Sequence, residues 1–140
     1  MSQKTAREVA EEYIERVWNI GDPEAVLELC ANPYTRHDAG KVTVMTHEEQ
    51  MDRVTRERAA ATLPDGRSFH FTNTMVSSDG SNVTICWDMT APAGTDFARS
   101  RVPVEERDSE LRACGIEIFR VTEGRITDVW NSSSMPGYWG

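Results

Sequence analysis

Apolar residues at Ala6, Val9, Ala10, Tyr13, Ile14, Val17 and Trp18 recur every three or four positions, and Thr5 with Glu8 makes a capping box just ahead of them. This spacing predicts an amphipathic first helix. Gly21 ends it, while Asp22 and Pro23 suit the cap and first turn of a second helix over 23–30. A short strand is expected over 33–38, and Thr46 with Glu49 forms a second capping box that opens a third helix toward Leu63. Pro64, Asp65 and Gly66 stop that helix.

Beyond residue 66 the apolar period shortens toward two. Segments 68–76, 82–90, 113–121 and 125–132 are rich in Phe, Ile, Val, Thr and Trp and read as four strands. Ser78-Asp79-Gly80 and Glu123-Gly124 supply tight turns, so an antiparallel meander follows. Helices first and strands second predict an α+β architecture in one domain, 1–140, with helices covering one face of a sheet. The segment 92–112, with Pro, Gly and dense mixed charge, is either a lid or a solvated hairpin extension.

At 140 residues the chain can bury one sizeable core. Its net charge of -8 opposes binding to nucleic acid or an anionic membrane surface, which leaves a small organic ligand as the expected partner. No apolar run has membrane length and the N-terminus carries no signal-peptide pattern, so a cytoplasmic protein is expected. Cys30, Cys86 and Cys114 are widely spaced in apolar segments and read as small buried hydrophobes, with no metal site and no cofactor implied.

No phosphate loop, GxSxG or HExxH signature is present, so any chemistry must come from residues the fold gathers. Three polar sets stand out in apolar strands. His37 and Asp38 are adjacent, so strand alternation turns only one of them toward a given face. Glu117 alternates with Ile116 and Ile118: either the Ile face is core and Glu117 meets solvent, or the face of Gly115, Glu117 and Phe119 lines a cavity. Asp128, Trp130 and Ser132 share one face of the last strand, where an aromatic beside a carboxylate suits an apolar ligand and a proton transfer.

The run Tyr13, Ile14, Val17, Trp18, Asn19, Gly21, Asp22, then Leu27 to Cys30, then His37-Asp38, resembles the opening of SnoaL-like polyketide cyclases and ketosteroid isomerases. The closing run Gly115-Ile116-Glu117-Ile118-Phe119-Arg120-Val121-Thr122-Glu123-Gly124-Arg125-Ile126, followed by Val129-Trp130, is similar to that group's penultimate hairpin. The resemblance, to the nuclear-transport-factor-two-like superfamily, implies a cone: a strongly curved mixed or antiparallel sheet wrapped around three N-terminal helices and enclosing one apolar pocket. It places Asp38 where the isomerases carry a general base and Glu117 where they carry a protonated acid that stabilises an oxyanion, the family being a standard example of such an acid. Tyr13, Ile14, Trp18, Phe119, Asp128, Trp130 and Ser132 are expected to line the pocket.

The isomerases' helix-one tyrosine aligns nearest Ile14, with Tyr13 one position away. Limonene epoxide hydrolases carry an aspartate where this chain has Ser132, which disfavours epoxide hydrolysis. The implied activity is cofactor-independent isomerisation or cyclisation of an apolar carbonyl compound through an enolate. The alternatives are a non-catalytic ligand-binding or dimerisation module, and a dehydratase or lyase that uses His37. A homodimer through the uncovered sheet face is expected, with the tail 135–139 closing either the pocket mouth or the dimer seam.

Overall fold

The computed structural model describes residues 3–140, leaving aside the side chains of 133–135. In chain order it holds α1 (Ala6–Tyr13), a π-helical continuation (Ile14–Ile20), α2 (Ala25–Leu29), β1 (Cys30–Asp38), β2 (Lys41–Met45) and α3 (His47–Ala61). Then come β3 (His70–Asp79), β4 (Asn82–Ala91), the one-turn α4 (Asp96–Arg99), a 3-10 turn (Val104–Glu106), β5 (Leu111–Thr122) and β6 (Arg125–Pro136).

Both capping boxes form. The Thr5 hydroxyl accepts from the Glu8 backbone N–H at 3.1 Å while Glu8 Oε1 accepts from the Thr5 N–H at 3.0 Å, and Thr46 with Glu49 repeats the arrangement at 3.2 and 3.0 Å. Each box satisfies two N–H groups that a helix start leaves open and contributes about 1 kcal/mol.

The first helix does not stay α-helical as far as its apolar spacing suggests. From Ile14 it widens into π geometry and ends at Gly21, whose φ of 82° only glycine adopts without strain. Two tertiary contacts hold this end. The Arg58 guanidinium donates to the carbonyls of Trp18 and Asn19, and the Asn19 amide bonds the Phe71 backbone twice, accepting from its N–H at 2.7 Å and donating to its C=O at 2.9 Å.

The strands form one open sheet in the order β2-β1-β6-β5-β4-β3. Neighbours are antiparallel except β1 and β6, which run parallel and bring the chain's first strand beside its last. The meander β3 to β6 matches the sequence pattern. The first strand is longer than expected, and β2 was not foreseen, because its alternating Val42 and Val44 point outward, 65% and 59% exposed, so its apolar residues do not mark a core face.

The inner sheet face buries Val83, Ile85, Trp87, Phe119, Val121 and Val129 against Val9, Ala10, Tyr13, Val17, Val26 and Leu29 of the helical layer. Fully burying each such side chain stabilises the fold by about 1.5–3 kcal/mol.

Candidate functional site

Between α3, the π segment and the inner face of the sheet lies a partly enclosed cavity of about 130 Å³. One wall is aromatic. Trp18, Phe69, Phe71, Trp87 and Phe97 follow one another in edge or tilted contact, with centroids 5.1 to 5.9 Å apart between Trp18 and Phe69, Phe69 and Phe97, and Phe71 and Trp87. Ile14 and Trp18, four residues apart in the π segment, lie on one face of it and both line the cavity.

Trp87 lies across β5 because its partner there is Gly115: a Cβ at that position would come within 2.4 Å of the indole ring. The glycine in the Gly115, Glu117, Phe119 row is thus a notch for an aromatic wall. Phe97 comes from the 92–112 connection, whose first half packs inward, with Thr95, Phe97 and Ala98 buried, while 103–110 is exposed throughout. The connection therefore covers one side of the pocket with α4 and leaves the rest in solvent.

The other wall is charged. Arg36 of β1, Arg53 and Glu57 of α3, Arg101, Asn131 of β6 and Glu117 of β5 face the cavity, so the pocket is about as polar as it is apolar, where the resemblance implied an apolar one. Glu117 lies at the floor. Surrounding protein pushes its carboxyl above the ordinary 4.5, against the pull of Arg36, Arg53 and the nearby Trp87 indole, and with a small push from Asp38. The Trp87 indole N–H is buried and makes no formed hydrogen bond, so its approach to Glu117 stops short of bonding geometry.

Asp38 stands just behind this wall and does not line the cavity. Its Oδ1 accepts from Arg36 Nη2 at 3.1 Å and from Asn131 Nδ2 at 3.2 Å. Partial burial opposes its charge, but Arg36, Asn131 and Arg53 outweigh that and hold it below the ordinary 3.8. Arg36 is itself 7% exposed.

Tyr13 is fully buried under the floor, its ring edge-on to Phe119 at 5.9 Å. Its hydroxyl accepts from Gln50 Nε2 at 2.7 Å, and Gln50 Oε1 accepts from Arg53 Nη1 at 3.3 Å, so the helix-one tyrosine props a pocket arginine from outside.

The residues expected at one site are divided between the two sheet faces. Ile14, Trp18 and Glu117 line the cavity; Tyr13 and Phe119 form the core beneath it. His37, Asp128, Trp130 and Ser132 lie on the outer face. There the His37 ring stacks on Trp130 at 4.6 Å and its Nε2 bonds Asp128 Oδ2 at 3.0 Å, and a shallow outer groove runs past His37, Asp38, Trp130 and Ser132. The cause is register. Asp38 pairs with Asn131 and Asn131 with Glu117, so these three share the inner face, and the alternate positions His37, Trp130 and Ile118 share the outer one.

Sequence reasoning missed Arg36, Arg53, Glu57, Phe97, Arg101 and Asn131. Arg36 had a signal in the strand, since it sits two residues before Asp38 and so on the same face; the other five reach the pocket only through tertiary packing.

An open mixed sheet curved over a helical layer, with a cavity between the two, defines the nuclear-transport-factor-two-like cone class. The chain belongs to the SnoaL-like domain family, whose model matches residues 10–129. A protein from Acidithiobacillus ferrooxidans assigned as a polyketide cyclase superposes with a TM-score of 0.72 at 24% identity, covering 95% of this chain and 91% of its own. A Catenulispora acidiphila protein with a ketosteroid isomerase-like fold, solved with trimethylamine, gives 0.68 at 19% identity over 91% and 86%. An M. tuberculosis epoxide hydrolase of the LEH-like type gives 0.65 at 16% over 94% and 81%. At these identities the likeness is one of fold alone. No curated protein matches the sequence. No helix among the described residues is long and apolar enough to cross a membrane.

Proposed function

We propose that the cavity is the site of a cofactor-independent acid/base reaction on a carbonyl compound, an isomerisation or cyclisation through an enolate. The observation that carries it is Glu117: a carboxyl at the floor of an aromatic-walled pocket, kept toward its neutral form by burial. A neutral carboxyl donates a hydrogen bond to a carbonyl oxygen and strengthens that bond as negative charge develops there.

The proton next to the carbonyl goes to a carboxylate. Asp38 is our first assignment, because its charge is held by Arg36 and Asn131, two residues that line the cavity. Glu57 is the second, because it lines the cavity itself where Asp38 does not. A lyase using His37 is not proposed, since His37 lies on the outer face.

Deuterium uptake at the α-carbon of cyclic ketones such as 2-tetralone, followed by NMR, tests the reading. The protein is expected to accelerate uptake, Glu117→Gln to retain part of the effect, and Asp38→Asn to lose it with ketone binding nearly intact. Loss in Glu57→Gln with Asp38→Asn active would move the base to α3. Ketone binding without acceleration would favour the second reading, a non-catalytic ligand-binding module, which Asp38's place outside the cavity supports. We further propose a homodimer through the outer sheet face, in the cytoplasm.

A further inference from the structure

Of the three arginines on the pocket wall, two have a carboxylate at ion-pair distance among the described residues and one does not. Arg36 is answered by Asp38 at 3.1 Å and Arg53 by Glu57 at 3.6 Å. Arg101 has no described carboxylate within ion-pair distance. Its Nη1 donates to the Phe97 carbonyl and the Ser100 hydroxyl, each at 3.1 Å, and its guanidinium carbon lies over the Phe97 ring, 3.7 Å from the centroid. Those contacts fix the guanidinium at the cavity rim without neutralising it. The cations that act most on Glu117 are Arg36 and Arg53, so Arg101 is not spent there either.

A second donor waits inside. The Trp87 indole N–H, 4% exposed on the cavity wall, forms no hydrogen bond of good geometry, and the acceptor nearest to it in effect is the Glu117 carboxyl. Buried donors are ordinarily satisfied, so an indole N–H short of bonding geometry on a cavity wall is placed to turn to a ligand acceptor. The rim therefore presents a cation without a counter-ion among the described residues and the floor a donor that a ligand can engage, in a chain whose overall charge of -8 would otherwise repel an anion.

We propose that the ligand is an anionic carbonyl compound: an apolar ring body bearing a carboxylate that sits on Arg101 at the rim, with a carbonyl oxygen at the floor against Trp87 and Glu117. Arg101 then selects substrates, and the aromatic wall from Trp18 to Phe97 takes the ring. A guanidinium held over Phe97 and bonded through Nη1 keeps its remaining donors for a ligand, and its planar fork suits the two-oxygen geometry of a carboxylate. At contact distance the pairing acts well inside the screening length of about 8 Å, whereas the acidic surface as a whole is screened. The assignment rests on the reading of Glu117 as neutral only in so far as an ionised Glu117 would repel the same anion.

Calorimetric titration of the whole protein with 2-naphthoate and with 2-naphthamide, which share a ring and differ in charge, tests this without turnover. The naphthoate is expected to bind about tenfold tighter or more at low salt. Arg101→Gln should bring the two ligands to about equal affinity, and Arg101→Lys should restore part of the preference; the position is exposed, and thermal melts of both variants check the fold. A naphthoate preference that survives Arg101→Gln overturns the proposal. Equal affinities in both the unaltered protein and Glu117→Gln also overturn it, and leave the reading of Glu117 untouched. A preference that appears only in Glu117→Gln supports the Arg101 seat and shows instead that Glu117 is ionised.

Discussion

Glu117, Trp87 and Gly115 form the smallest unit that gives the pocket its chemistry. Gly115 leaves room for the indole, burial disfavours the Glu117 charge, and the nearby indole partly offsets that. In Gly115→Ala the indole must swing out of its notch. We expect a loss of about 1–3 kcal/mol in stability from overpacking, read by chemical denaturation, with a shift in Trp fluorescence toward a wetter environment. Glu117 also makes a pH signature. Its native pKa is raised, so over the range from 4.5 up to that value the folded state binds more protons than the unfolded one, and this group's contribution to stability is lost as pH rises. The melting temperature of Glu117→Gln relative to the unaltered protein is therefore expected to climb as pH rises above the ordinary carboxylate range. A difference that stays flat above that range would mean an ordinary carboxylate.

At the scale of elements, the join between the first helix and the sheet sets the pocket's position. The π segment places Ile14 and Trp18 on the aromatic wall, and Arg58 and Asn19 hold its end against β3. Gly21→Ala brings a Cβ into the Arg58 guanidinium at a backbone φ of 82°, so it both strains the turn and displaces the groups bonded to the Trp18 and Asn19 carbonyls. We expect a destabilisation of about 1–3 kcal/mol. Gly40→Ala, with a similar φ of 78° and open space around it, should show the backbone part alone, and the difference between the two melts isolates the Arg58 contact. The spacing of Tyr13, Ile14, Val17 and Trp18 predicted the helix but not its widening, because the groups that stabilise the wider turn come from α3 and β3.

For the whole molecule, the helical layer covers only the inner sheet face. Outside lie Val42, Val44, Met75, Ile116, Ile118 and the His37–Trp130 stack, drawn from five of the six strands. The tail crosses the outer side of β4 and β5 rather than the pocket lining: the Trp139 backbone N–H donates to Asp88 Oδ1 at 2.7 Å, its indole to the Gly115 carbonyl at 3.0 Å, and Tyr138 meets Thr90. Of the tail positions expected to seal the molecule, the Met135 side chain lies outside the described residues. The proposed dimer predicts twice the chain mass by light scattering at micromolar concentration and a monomer for Ile118→Arg, which sets a charge in the middle of the apolar face. A monomer for the unaltered protein would end that proposal.

Sequence periodicity by itself determined the helix starts at Thr5 and Thr46, the four-strand meander and the α+β order, because capping boxes, tight turns and alternation are local rules set by neighbouring residues. The resemblance around Glu117 pointed to a pocket-facing carboxyl, and the cavity lies on that face. Tertiary structure alone decided which neighbours Glu117 has. The parallel pairing of β1 with β6 sets Asp38, Asn131 and Glu117 in one row and turns His37, Asp128 and Trp130 to the other side. Arg53, Glu57, Phe97 and Arg101 are far from Glu117 along the chain and meet it only once α3 and the 92–112 connection pack over the sheet. Register between strands distant in sequence depends on the burial of a whole face, and no local pattern carries that information.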